Sequence, residues 1–149
     1  MQKIFIESDP IYQKPSINIC TAVFKDVIKI KNIESYNVNI IFASDVLVSD
    51  LKKKYFLKDQ WTDVIAFPLH NKNENKIEGE IYISMPTAKE NAYKFNEPYE
   101  KEILRLIIHG TLHLMGFSDS TKSGKETMRK YEEEYLKKFE WDNLFLNEK

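Results

Sequence analysis

Residues 4–7 form a short β-prone run that stops at Asp9-Pro10. Pro15 suits the first turn of a helix, where a missing N–H costs nothing, and Cys20, Val23, Phe24, Val27 and Ile28 then share one helical face. Over residues 37–43 the period changes, because Val38, Ile40 and Phe42 alternate as in a half-buried strand. Ser44 or Asp45 can cap a helix that runs to Tyr55, with Leu47, Leu51 and Tyr55 along one side. Residues 63–67 and 80–84 are two further strands, and the polar stretch 68–79 between them reads as a solvated loop. Pro86 and Thr87 start a short helix that reaches about Phe95. Glu97-Pro98 precedes a longer helix over 99–115, which Gly116 is placed to end in the left-handed conformation. A last helix over 123–139 spaces Tyr131, Tyr135 and Phe139 by four, as core packing requires.

The order β-α-β-α-β-β-α-α-α predicts an α+β fold: one domain over residues 1–149, with a single mixed sheet of about four strands flanked by helices. A chain of 149 residues with 42% hydrophobic and 13% aromatic content can build a packed core. No apolar run is long enough to cross a membrane, and Glu7 interrupts the start before the apolar region of a secretory leader can form. One cysteine, Cys20, excludes an internal disulfide framework and fits a reducing cytoplasm; at helical spacing it reads as a core residue. The formal charge of −1 excludes a globally basic nucleic-acid binder but leaves room for local basic patches. Of the 22 basic residues only Arg105 and Arg129 are arginine, so planar guanidinium forks are scarce.

The most informative segment is Ile107-Ile108-His109-Gly110-Thr111-Leu112-His113-Leu114-Met115-Gly116. Positions four apart on a helix lie on one face, so His109 and His113 can hold one metal ion. The surrounding Leu106, Ile107, Ile108, Leu112, Leu114 and Met115 make this a buried central helix, in which two imidazoles need polar partners. The pair alone is also what two satisfied core histidines would give. After Gly116 the chain can reverse, and Asp119 is the carboxylate able to complete a His109, His113, Asp119 set with one open position. A zinc metalloprotease of the HExxH kind carries its general base after the first histidine, and here that place is Gly110.

The stretch from His109 to Phe117 resembles the HGxLHLxGY motif of the YbeY family of bacterial endoribonucleases. Trp61-Thr62-Asp63-Val64-Ile65-Ala66-Phe67-Pro68 is similar to that family's PTDVLSFP segment, and Gly79-Glu80-Ile81-Tyr82-Ile83-Ser84 to its GDIxIS strand. The resemblance implies an α+β fold with one zinc ion, cleavage of single-stranded RNA, and a role in maturing the 3′ end of small-subunit rRNA and in ribosome quality control. The implied partners are rRNA and the small ribosomal subunit or factors associated with it. Carried over by position, the metal ligands are His109, His113 and, at the place of the usual third histidine, Asp119. The family's LNxxYR stretch appears as Leu51-Lys52-Lys53-Lys54-Tyr55-Phe56, so its arginine is replaced by Phe56. Lys52, Lys53, Lys54 or Lys58 can stand in as point charges, or form an ordinary solvated face.

Arg105 precedes His109 by four and extends the histidine row, which makes it a candidate phosphate clamp; the alternative is a salt bridge to Glu102. Glu80 is the candidate general acid or base, on the expectation that its strand borders the site. Asp63 is as well explained as the cap of a turn, and His70 as an exposed loop residue. The leading expectation is metal-assisted phosphodiester cleavage. With a carboxylate among the ligands the ion keeps less positive charge, so the pH optimum should lie above that of a three-histidine site. The competing readings are an RNA-binding ribosome factor with a structural metal, the metalloprotease, and a non-haem iron site.

Overall fold

The computed structural model describes residues 1–56, 62–70 and 75–145. Lys58, Trp61 and residues 71–74 of the expected loop lie outside the described residues. The elements are β1 (Gln2–Ser8), α1 (Ile17–Val27), β2 (Ser35–Ala43), α2 (Asp45–Phe56), β3 (Val64–Pro68), β4 (Lys76–Ser84), α3 (Met85–Lys94), α4 (Tyr99–Leu114) and α5 (Lys122–Leu136), with short 3₁₀ turns at Ile28–Lys31 and Trp141–Asn143. The order and the α+β class match the expectation.

The strands form one sheet in the order β1-β2-β4-β3. β1, β2 and β4 run parallel, and β3 pairs antiparallel with β4, so the sheet is mixed as expected. Tyr36, Val38, Ile40 and Phe42 of β2 and Ile77, Ile81 and Ile83 of β4 point to one face, where they pack against α1 and α4. The opposite face, with Ala43, Ile65, Tyr82 and Phe67, is covered by Val48 and Leu51 of α2. The helix α4 has the sheet on one side and α1, α3 and α5 around the rest. Its residues Ile103, Leu104, Ile107, Ile108 and Leu112 are wholly buried, and so is Cys20 of α1.

Three local expectations change. Helix α1 is capped by Ser16, whose Oγ accepts from the Ile19 N–H at 3.1 Å, so Pro15 lies just before the helix instead of within it. The buried side of α2 carries Val48, whereas Leu47 and Tyr55 are exposed. Strand β4 starts at Lys76, inside the stretch read as loop, and Lys76–Gly79 pair with Ser35–Val38. Its polar Lys76 and Glu78 alternate with Ile77 and Gly79, a strand pattern that loop-like composition masked.

Candidate metal centre

Helix α4 reaches the sheet closely at Gly110. A Cβ there would lie 2.6 Å from Ile81 Cγ2, so a side chain at this position has no room. The glutamate of a zinc protease is therefore excluded by packing as well as by sequence. One turn on, the helix ends in a Schellman arrangement: Gly116 takes φ +97, its N–H donates to the His113 carbonyl at 3.0 Å, and the Phe117 N–H donates to Leu112 at 3.0 Å. The chain reverses there as expected, and Thr121 caps α5 by accepting from the Gly124 N–H.

That reversal brings Asp119 back to the histidines. His109 Nε2 and His113 Nε2 are 3.0 Å apart, and Asp119 Oδ2 lies 3.4 Å from the first and 3.5 Å from the second. Zinc bonds of 2.0–2.1 Å in tetrahedral geometry separate neighbouring ligand atoms by about 3.3 Å. The three atoms fit such an ion without rearrangement, and they are the one His, Cys, Asp and Glu group of this kind among the described residues. Their side chains are 22%, 29% and 44% exposed, and they open on a groove of about 350 Å³ that also touches Lys52, Asp63 and Pro68. A fourth coordination position is therefore accessible from solvent.

Behind His109 stands a residue that sequence reasoning missed. Glu132 Oε2 is 2.9 Å from His109 Nδ1, on the ring side opposite the ligand nitrogen. It is placed to accept the Nδ1–H, which would leave the Nε2 lone pair free for a metal ion. Burial disfavours the charged form of both rings. For His109 the hydrogen bond and charge of Glu132, with Asp119 and Asp63, outweigh that and raise its pKa above the ordinary value. For His113 burial and the neighbouring His109 prevail, and its pKa is lowered. The one available signal for Glu132 was its position between Met128 and Tyr135 on the buried stripe of α5, where an acid needs a partner.

The other candidates lie elsewhere. Arg105 does not reach the groove: its Nη1 is 2.8 Å from Glu133 and 3.7 Å from Glu132, and its Nε is 3.3 Å from Glu102. The salt-bridge alternative is what the structure contains, extended to three carboxylates. Glu80 sits on the α2 face of β4 beside Tyr82, away from α4. Alternation along β4 sends Gly79 and Ile81 toward the histidine helix and Glu80 to the other side. Asp63 lines the groove; its carboxylate accepts from Asn91 Nδ2 at 3.0 Å, and burial raises its pKa. His70 is half-buried, with Nδ1 accepting from the Glu78 N–H at 3.1 Å. Lys52 borders the groove, whereas Lys54 lies over the Tyr55 ring.

Fold and site together define an α+β domain with a two-histidine, one-carboxylate centre at the end of a buried helix, open to a groove. The chain belongs to the Endoribonuclease YbeY family, whose profile matches residues 6–140. An Endoribonuclease YbeY from Amoebophilus asiaticus is 37% identical over 132 residues, which cover 89% of this chain and 88% of the relative. One from Christiangramia forsetii is 39% identical over 114 residues, covering 73% and 78%. The solution structure of a Thermotoga maritima protein superposes with a TM-score of 0.61 at 29% identity over 91% of each chain. The family assignment drawn from the histidine motif is thus borne out.

Proposed function

We propose that the protein is a zinc-dependent endoribonuclease that cleaves single-stranded RNA. In this reading it acts in the cytoplasm, matures the 3′ end of small-subunit rRNA, serves ribosome quality control, and meets the small ribosomal subunit or its associated factors. The observation that carries the chemistry is the convergence of His109 Nε2, His113 Nε2 and Asp119 Oδ2 at tetrahedral spacing beside an open groove. The relatives' shared name supplies the reaction class. Among the described residues no helix is long and apolar enough to cross a membrane.

When bound, zinc supplies Lewis acidity toward a phosphoryl oxygen and toward water. His109 and His113 hold it through neutral nitrogens, and Asp119 adds one negative charge. Glu132 orients His109 through Nδ1 and, sharing its other oxygen with Arg105, is itself held in place. Asp63, in the groove wall, is the group placed to hold a proton near the reacting phosphate; in the metal-free protein burial raises the pKa of its carboxyl. A purely structural metal would be expected to have enclosed ligands, and these three are open to solvent.

The test is elemental analysis beside cleavage of a labelled single-stranded RNA, for wild type and His109→Ala. One zinc per chain with cleavage in the wild type, and loss of both in the variant, is expected. Cleavage by metal-free His109→Ala would overturn the reading, and iron in place of zinc would move the site to the non-haem class. Asp119→His should retain zinc and shift the pH optimum downward; an unchanged profile would count against the charge argument.

A further inference from the structure

The groove at the proposed ligands adjoins a further cavity on each side. Through His109 and Asp119 it joins a cavity of about 200 Å³ walled by Lys125, Met128, Arg129 and Glu132 of α5. Through Pro68 and His113 it joins another of about 420 Å³ beside Lys31, His70 and Phe117. A track that continues on both sides of the ligands accepts the interior of a strand as well as its end.

The basic groups near this track differ in how fully their charge is met. Arg105 is bound by three carboxylates. Lys31 donates to the Met115 carbonyl at 2.9 Å and lies 4.8 Å above the Phe117 ring. Lys125 and Arg129, one turn apart on α5, have no ion-pair partner among the described residues, and both wall the cavity that contains His109 and Asp119. The acids that line this cavity, and Glu133 beside it, face other groups: Glu132 meets His109 and Arg105, Glu133 meets Arg105, and Asp119 meets the two histidines. Glu126 neighbours the two cations on α5 without an ion pair to either among the described residues. Two cations without an ion-pair partner among the described residues, one of them a planar fork suited to two phosphate oxygens, therefore flank the proposed metal centre on its α5 side; Arg129 also borders the acidic cavity around Arg105.

We infer that Lys125 and Arg129 form a phosphate clamp for the substrate strand, holding a backbone phosphate next to the one that is cleaved. This rests on the endoribonuclease reading and names the residues that grip its substrate. The clamp role suggested by sequence for Arg105 passes to the other arginine, because Arg105 directs its donors to acids within the fold.

The experiment measures binding of a fluorescent single-stranded oligoribonucleotide to zinc-loaded protein over a series of salt concentrations, with cleavage kinetics alongside. The variants are Arg129→Ala, Arg129→Lys, Lys125→Ala, and Lys3→Ala on the far edge strand β1 as a charge-matched control. Arg129→Ala should weaken binding roughly tenfold and raise KM by a similar factor, with kcat within about twofold. The slope of log affinity against log salt should fall by about 0.7 for each phosphate that is no longer neutralised. Arg129→Lys should recover part of the affinity, Lys3→Ala should change nothing, and zinc content should be equal in all. Wild-type affinity and slope in both Arg129→Ala and Lys125→Ala, or an equal weakening in Lys3→Ala, would overturn the clamp. If these effects on binding appear but the wild type does not cleave, the catalytic reading falls and the clamp stands; normal cleavage with unaffected variants gives the reverse.

Discussion

The hydrogen bond from His109 Nδ1 to Glu132 determines which nitrogen of that ring is left to bind the proposed ion. Without the carboxylate the ring can flip or change tautomer, so Glu132→Ala should lower zinc affinity by roughly 10- to 100-fold, read by competition with a chelator. Glu132→Gln, which keeps an acceptor oxygen, should recover part of it. The pH dependence carries a sign. Because the pKa of His109 is raised, protons compete with zinc, and apparent affinity falls as pH drops through that raised value. Glu132→Gln removes a raising influence and should move the fall to lower pH. The two histidines were legible because a spacing of four is a local property of a helix. Glu132, 23 residues from His109 along the chain, was not, since only the packing of α5 on α4 brings it there.

At the level of elements, α4 combines close approach with a buried charge. Gly110→Ala would press a methyl group into Ile81 and should destabilise the fold by roughly 1–3 kcal/mol in denaturant titration, while zinc stoichiometry is retained. Glu102, on the same helix, is 7% exposed, and burial lifts its pKa to about 7 despite the neighbouring Arg105. The folded state therefore binds its proton more tightly than the unfolded one. Stability should fall as pH rises from about 4.5 to 7 and then level off. Glu102→Gln should flatten that slope and be the more stable form at pH 8, by on the order of 1–3 kcal/mol, as measured by thermal unfolding at several pH values. Apart from the start of β4, the elements were legible from periodicity, because each has one face against the core. β4 was cut short because the outer face of its first half carries Lys76 and Glu78, which lowered the apparent hydrophobicity of residues that alternate with the buried Ile77 and Gly79.

Across the whole molecule, the centre ties the end of α4 to the loop that leads into α5, and Glu132 adds a link back from α5 itself. Zinc that binds only the folded chain should stabilise it by about 2.7 kcal/mol at a free concentration of one hundred times Kd. Chelation should therefore lower Tm, zinc should restore it, and His113→Ala should abolish the response. A Tm indifferent to zinc in the wild type would contradict a site assembled from these segments. The formal charge of −1 also acquires a spatial meaning. Acids collect around Arg105 and the histidines, while Lys52, Lys125 and Arg129 border the groove.

By itself the sequence determined the fold class, the histidine helix, its glycine stop and the carboxylate that returns to it. These depend on spacing along one element or across one turn, which helical geometry dictates locally. Tertiary structure alone decided that Glu132 supports His109, that Arg105 is consumed by three acids, that Glu80 faces away, and that Arg129 stands beside the proposed metal ligands without an ion-pair partner among the described residues. Each depends on which faces of α4, α5 and β4 meet, and composition along the chain does not specify that.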